Sequence, residues 1–316
     1  MKYSIVIPVY NSEKSLEELS KRLNYVFEAI IHEDYELILV DDFSKDSSFE
    51  VITRLMENDS RITGVQLAKN CGQHSALLCG FSIAQGDFIV TMDDDLQHPP
   101  EEIPKLIEKM QSSDDLDVVI GSYESKKHSL IRNIGTGLSA YVSYKAYGKP
   151  KELDLTSFRL MRKNVVSDIL SMNIDTPRIG NMLLQVNGRI GNVTVTHDKR
   201  KYGKSGYTFS RLVKDLISNL FTNSSFPLIV VRDIGMASSA LSVLLAMYFI
   251  IKYFVSGISV GGWTSTVLII LFIGGMILFA IGIIGDYLLR ILNESKKIPN
   301  YFIRQIVKKD KPEENE

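Results

Sequence analysis

The chain has 316 residues, 36 Lys and Arg against 37 Asp and Glu, and 45% hydrophobic residues. That is long enough for one sizeable domain plus a further segment, and the charge balance gives no ground for a nucleic-acid partner. Two cysteines, Cys71 and Cys79, exclude a disulfide framework.

Up to about Ser225 the sequence reads as an ordinary α/β protein. Met1-Lys2 runs straight into SIVIPVY, so no signal peptide is expected. Strands are predicted over Tyr3–Val9, Tyr35–Val40, Ile62–Ala68, Asp87–Met92 and Leu116–Gly121. Helical spacing recurs over Glu13–Ile31, Ser47–Asn58, His74–Ala84 and Glu101–Gln111. This alternation predicts a mostly parallel sheet covered on both faces. Beyond it, Ile131–Lys145 and Val165–Leu170 read as helices and Arg189–His197 as a strand. The loop HDKRKYGKSGY follows.

Phe209–Phe221 carries an i, i+3, i+4 apolar stripe with charges opposite, the pattern of an interfacial helix. Residues 234–254 and 266–289 are then nearly free of charge. At ~1.5 Å per residue each run covers the ~30 Å hydrocarbon core. Lys and Arg lie outside the pair rather than between, which predicts a transmembrane hairpin with both flanks and both termini cytoplasmic. Gly274, Gly275, Gly282 and Gly285 allow close helix approach, within the hairpin or in a homo-oligomer. The expected organisation is a catalytic domain over 1–206, an interfacial helix over 207–226, a hairpin over 227–292, and a basic-then-acidic cytoplasmic tail over 293–316.

The polar clusters fall at the C-terminal ends of predicted strands: Tyr10-Asn11, Asp41-Asp42, Asn70 with Gly72, and Asp93-Asp94-Asp95. In one open α/β sheet those ends form a single ligand-binding rim. Three adjacent carboxylates repel one another unless a cation sits among them, and a hard divalent cation with oxygen ligands fits best. If the strand persists, Asp93, Asp95 and Gln97 share a face and would hold Mg²⁺ or Mn²⁺, leaving positions open for diphosphate oxygens. Asp41-Asp42 suit a ribose or base edge, and Asn70 and Gly72 a close approach of backbone to ligand.

SIVIPVYN, LILVDDFSKDSS, LAKNCGQHSALLCGFSIAQGDFIVTMDDDLQHPPEEIP and SFRLMRKNVV together resemble the family 2 glycosyltransferases. The subgroup is that of dolichyl-phosphate mannose synthase and the bacterial undecaprenyl-phosphate enzymes. The resemblance covers about residues 1–210, and the hairpin resembles the anchor of the bacterial members. It implies a GT-A fold and transfer of one sugar, with inversion, from a UDP- or GDP-linked donor to a polyprenyl phosphate at the cytoplasmic membrane. It implies that Pro8, Tyr10 and Asn11 border the nucleotide, that Asp41 contacts its base or ribose, and that Asp93, Asp95 and Gln97 hold metal and diphosphate. Asp94 would face ribose or sugar, Arg132 the acceptor phosphate, and Arg200 the diphosphate. A phosphate acceptor is already ionised, with a second pKa of about 6, so charge balancing rather than a general base is the requirement.

This chain departs from the family pattern at four places. Ser12 replaces an acidic residue. Tyr123 stands where an acceptor-phosphate arginine is expected, with Arg159 or Lys126 as replacements. Ser157 stands where many bacterial relatives have aspartate. Gly206 replaces a loop lysine, with Lys204 nearest. Four other readings compete. A processive synthase would add QxxRW, but the only tryptophan is Trp263. A dehydrogenase would need GxGxxG after the first strand. A transferase using another membrane acceptor, or a non-catalytic adaptor, remains as the alternative; an adaptor has no need of the metal carboxylates.

Overall fold

The computed structural model describes residues 2–113, 115–123, 153–172, 174, 177–186, 189–198, 262–295 and 299–309, with isolated positions at 244, 247, 248, 251 and 255. The chain divides into two units, Met1–Gly206 with Ile298–Glu316, and Tyr207–Lys297.

In the first unit the chain alternates as expected. It runs β1 (Tyr3–Val9), α1 (Leu16–Val26), β2 (Tyr35–Asp41), α2 (Ser48–Asn58), β3 (Ile62–Leu67), α3 (Gln73–Ile83), β4 (Phe88–Thr91), α4 (Ile103–Gln111) and β5 (Val118–Tyr123). Then come β6 (Arg159–Arg162), α5 (Lys163–Ser171), α6 (Ile179–Gln185) and β7 (Ile190–Val195). The helix expected to reach Ile31 loosens into a π turn over Phe27–Ile31, which left-handed His32 (φ 56°) terminates.

The described strands form an eight-stranded sheet in the order β7-β5-β6-β4-β1-β2-β3-β8. Pairs β1–β2, β1–β4, β2–β3 and β5–β7 are parallel, while β6 runs antiparallel between β4 and β5. All seven residues of β1 and of β2 are buried, as strands covered on both faces must be. One face packs on Leu16, Leu19, Leu23, Ile103 and Leu106 of α1 and α4. The other packs on Ala76, Leu77, Val165 and Met182 of α3, α5 and α6. α3 lies close against the sheet because Gly80 faces Val6; a Cβ there would come within 2.2 Å of the Val6 side chain.

The eighth strand, β8 (Ile303–Lys308), comes from the segment that reads in sequence as a tail. It pairs antiparallel with β3, from Thr63↔Lys308 to Leu67↔Ile303. Its RQIVK pattern lacks clean alternation because an edge strand with exposed side chains has no buried face to encode.

In the second unit, α7 (Trp263–Ser295) is a continuous helix of 33 residues. Its sequence from Thr264 to Gly285 contains no charged residue. Ile269, Ile270, Ile277, Ile281 and Ile284 are each at least half exposed. Many of its side chains fall outside the described residues. Counted on the described residues alone, no helix is long and apolar enough to cross a membrane. The interfacial helix of 207–226 and the Ile131–Lys145 helix lie outside the described residues, as do all but four positions of 234–254.

Candidate active site

The C-terminal ends of β1, β2, β3 and β4 lie side by side, and hydrogen bonds between side chain and backbone lace their loops together. Left-handed Asn11 (φ 55°) donates its N–H to Ser44 Oγ at 2.9 Å, and its Oδ1 accepts the Lys45 N–H at 2.8 Å. Ser12 N–H reaches Ser48 Oγ at 2.8 Å. Asp42 Oδ1 and Oδ2 accept the N–H groups of Cys71 (2.6 Å) and Gly72 (2.8 Å). Asn70 Nδ2 donates to the Asp42 carbonyl at 3.1 Å. Gly72 sits at φ 88°, a conformation that suits glycine, so its role in the turn before α3 is conformational.

Asp41 and Asp42 are 0% and 3% exposed. Asp42 therefore shapes the 70–72 loop, and burial raises its carboxyl above the ordinary range against the pull of those two N–H groups. Asp41 accepts the Ser44 N–H at 3.2 Å and Gln66 Nε2 at 3.3 Å. Pro8 is buried within β1, two residues below half-exposed Tyr10.

β4 stops at Thr91, so the alternation that would align Asp93, Asp95 and Gln97 does not persist. A turn takes over, with left-handed Leu96 (φ 59°) and Asp95 Oδ1 accepting the Gln97 N–H at 3.0 Å. The carboxylates diverge. Asp94 leans to β1, where its Oδ2 accepts the Tyr10 N–H at 3.2 Å. Burial raises its carboxyl to about 6, opposed by hydrogen bonds from Ser12 and Tyr10. Asp93 turns the other way. Its Oδ1 accepts Gln73 Nε2 at 2.5 Å and its Oδ2 accepts Ser157 Oγ at 2.6 Å.

Behind Asp93 lie His98, which the sequence reading missed, and Tyr123 and Arg159, which it named in connection with the acceptor phosphate. His98, 4% exposed, stands 3.7 Å through Nδ1 from Asp93 Oδ2. Its Nε2 hydrogen-bonds the Tyr123 hydroxyl, and its ring stacks on Tyr123 and Phe158. Burial holds the imidazole below its usual pKa, against the attraction of Asp93. Arg159 is 3% exposed, and its Nε lacks a partner among the described residues. Burial lowers it to about 10, while Asp93 and Tyr123 pull upward. The legible signal was an arginine between apolar Phe158 and Leu160 at the start of β6. Tyr123, the departure from arginine, thus serves a buried histidine.

The far end of β7 is tied to the same turn. Thr196 donates through N and Oγ1 to Glu102 (3.1 and 3.2 Å), and Asp198 N–H donates to the Gln97 carbonyl at 3.0 Å. The basic loop therefore departs from beside Gln97. Its Arg200 and Lys204, like Arg132, lie outside the described residues.

Among the described residues no group of three or more His, Cys, Asp or Glu side chains is arranged to hold a metal ion. Asp93, Asp95 and Gln97 offer oxygen donors. That suits a hard cation bound by one or two protein carboxylates with the remainder supplied by a ligand's phosphates, rather than an all-protein cage.

An open α/β sheet with carboxylates and glycine loops at the ends of its central strands is a GT-A-like architecture. Solved structures agree on the fold. Glucosyl-3-phosphoglycerate synthase of Mycobacterium tuberculosis superposes with a TM-score of 0.52 at 16% identity, over 71% of this chain and 81% of that one. The same enzyme in complex with Mn²⁺ and UDP-glucose gives 0.50 at 17% identity, over 71% and 79%. The family model described as glycosyl transferase family 2 matches residues 4–170, more than half of the chain. The chain belongs to that family and is a glycosyltransferase. It is 31% identical to the undecaprenyl-phosphate 4-deoxy-4-formamido-L-arabinose transferase of Proteus mirabilis, over 100% of this chain and 97% of that protein. It is 32% identical to the transferases of the same name from Photorhabdus laumondii and Yersinia pestis, with coverage of 97% and 96% of those proteins.

Proposed function

We propose that the chain transfers 4-deoxy-4-formamido-L-arabinose, or a sugar closely related to it, from a nucleotide donor to undecaprenyl phosphate. The observation that carries this reading is the similarity to transferases of that name along the whole chain, hairpin region included. The rim supports it with residues suited to each task.

Asp93 and Asp95, with Gln97, would hold Mg²⁺ or Mn²⁺, which when bound would neutralise the departing diphosphate. The chain's own residues do the rest. Gln73 and Ser157 hold the Asp93 carboxylate in one orientation. Asp94 is tied to the Tyr10 loop, which would border the nucleotide, and Asp41 would meet the base or ribose. Arg200, two residues beyond the Asp198 contact with Gln97, would reach the diphosphate, with Lys204 on the same loop. Arg132 would grip the acceptor phosphate by bidentate hydrogen bonds. The acceptor oxygen, already anionic, is then held in line behind the anomeric carbon, opposite the leaving group.

Residues 227–292 would form a transmembrane hairpin in the cytoplasmic membrane. Long α7, uncharged from Thr264 to Gly285 and with exposed isoleucines, supports this. So does the path of the chain, because residues before 207 and after 297 belong to one unit and the segment between starts and ends there. An even number of crossings would be needed, and the basic flanks would put the catalytic unit on the cytoplasmic side.

Sugar transfer by the purified protein in detergent tests the reading. The assay supplies undecaprenyl phosphate, Mg²⁺ or Mn²⁺, and a panel of UDP- and GDP-linked sugars, with lipid product and released nucleotide followed separately. Lipid-linked pentose from the UDP-linked formamido sugar is the expected result. Nucleotide release without lipid product would refute the acceptor assignment, and product only with an unrelated sugar would refute the donor assignment.

A further inference from the structure

Asp41, Gln66 and Gln305 lie in one row across three strands. Asp41 of β2 is the register partner of Gln66 of β3, and Gln66 is the partner of Gln305 of β8. Their side chains are joined in the same order. Gln305 Nε2 donates to Gln66 Oε1 at 3.4 Å, and Gln66 Nε2 donates to Asp41 Oδ2 at 3.3 Å. The register of β3 against β8 shifts at Gln66/Leu67, just where this row crosses. Such irregularities re-aim side chains.

The lead-in to β8 touches the neighbouring loop as well. The Phe302 carbonyl accepts the Ala68 N–H at 2.7 Å, Lys69 Nζ lies 5.8 Å from the centre of the Phe302 ring, and the Tyr301 hydroxyl donates to Ser82 Oγ at 3.0 Å. Residues 301–305 thus brace both the Asp41 row and the start of the loop that Asp42 holds.

We propose that Gln66 and Gln305 are positioning residues for Asp41, so that the strand returning from the second unit sets the discrimination of the nucleotide base. This rests on the reading above that Asp41 meets the base or ribose. The physical argument is one of polarity. An amide side chain can turn its oxygen or its nitrogen toward a neighbour. Gln305, by donating to the Gln66 oxygen, leaves the Gln66 nitrogen for Asp41. A buried carboxylate served by neutral donors alone is sensitive to each of them, since every lost donor leaves part of its charge unpaired. With Gln66 fixed, the carboxylate of Asp41, fully buried here, is fixed in direction too, and that direction would set which base-edge donor a bound nucleotide can bring to it.

The test uses the full-length protein in detergent, with binding of UDP, CDP and GDP measured by calorimetry and turnover measured with the preferred donor. Gln305→Leu and Gln66→Leu are expected to weaken the preferred nucleotide about ten-fold and to narrow the preference among bases. The KM for the acceptor and the melting temperature should stay unchanged. Gln305→Glu, which offers acceptors only, should turn the Gln66 amide over and be worse than Gln305→Leu. That order is one a purely structural strand contact would not produce. Asp41→Asn separates the two layers. If Asp41→Asn leaves base preference intact, the underlying reading of Asp41 fails. If it alters preference while the glutamine variants do not, or if they lower all nucleotides equally along with melting temperature, the positioning role is overturned.

Discussion

The Ser157 hydroxyl donates to Asp93 Oδ2 over 2.6 Å, joining the lead-in to β6 to the first carboxylate beyond β4. Together with Gln73 on Oδ1 it occupies one lone-pair direction on each oxygen, which restricts how a cation could be met. Ser157→Ala should therefore raise the Mg²⁺ or Mn²⁺ concentration needed for half-maximal turnover roughly ten-fold, the worth of one hydrogen bond to a charged group. Ser157→Asp, which restores a second carboxylate beside Asp93, should shift the metal requirement as well. A metal titration of turnover reads both. Unchanged curves would remove Ser157 from any role at the site.

Asp95→Ala should lower turnover by at least about 100-fold, as loss of a preorganised electrostatic partner generally does. Steady-state assays at several metal concentrations decide it. Near-normal activity with unaltered metal dependence would sink the assignment of Asp95.

Tyr123→Phe removes the partner of His98 Nε2, and His98 Nδ1 already has none among the described residues. A buried imidazole deprived of its bond should cost about 1–3 kcal/mol of stability. Denaturant unfolding of the variant measures this, and a loss below about 0.5 kcal/mol, within the range of ordinary surface substitutions, would show that the ring stack alone holds His98.

Arg61 binds Asp59 through two nitrogens at 2.9 and 2.8 Å, reaches Glu28 at 3.0 Å, and covers the Tyr35 ring at 4.8 Å. Burial pushes the Asp59 carboxyl up, but the hydrogen bonds and charge of Arg61 outweigh it and hold the group below its usual 3.8. A depressed folded-state pKa contributes stability that is present above the unfolded value and lost as pH falls through the folded one. Asp59→Asn should thus be less stable than the parent at pH 7. The gap should close as pH falls below about 4, the ordinary carboxylate value. Urea midpoints at pH 7, 5 and 3 check the sign.

Cys79 is fully buried and its thiol is pushed up to about 12, by burial first and then by Cys71. Burial and the Asp42 charge raise Cys71 as well. Because the thiolate is the reactive form, iodoacetamide at pH 7.5 should leave Cys79 unlabelled in the native protein and label Cys71 slowly, with both reacting in guanidinium. Labelling of native Cys79 within minutes would contradict the packing of α3.

The strand and helix order was legible because fully buried strands such as SIVIPV and LILV announce themselves as apolar runs. The rim was legible for a related reason: polar pairs that follow such runs must sit at strand ends. What surrounds Asp93 was not legible, since Gln73, His98, Tyr123, and Ser157 with Arg159 come from four separate segments whose juxtaposition only the sheet order produces. The burial of Asp41 was equally hidden, because it depends on Gln66 from the next strand. The turn after β4 was not legible either: the strand ends at Thr91, and Leu96 turns the chain in a left-handed conformation that no motif announces.

The order in which the sheet is completed has a consequence for biosynthesis. β3 lies within the first 70 residues, yet its outer partner β8 emerges only after residue 302, when almost the whole chain has left the ribosome. Until then β3 presents an open edge of unpaired backbone groups, the feature that invites pairing with other chains. A nascent chain that stalls after α7 would carry that exposed edge, so premature termination near the C-terminus should yield aggregation-prone protein rather than a folded, slightly shortened enzyme.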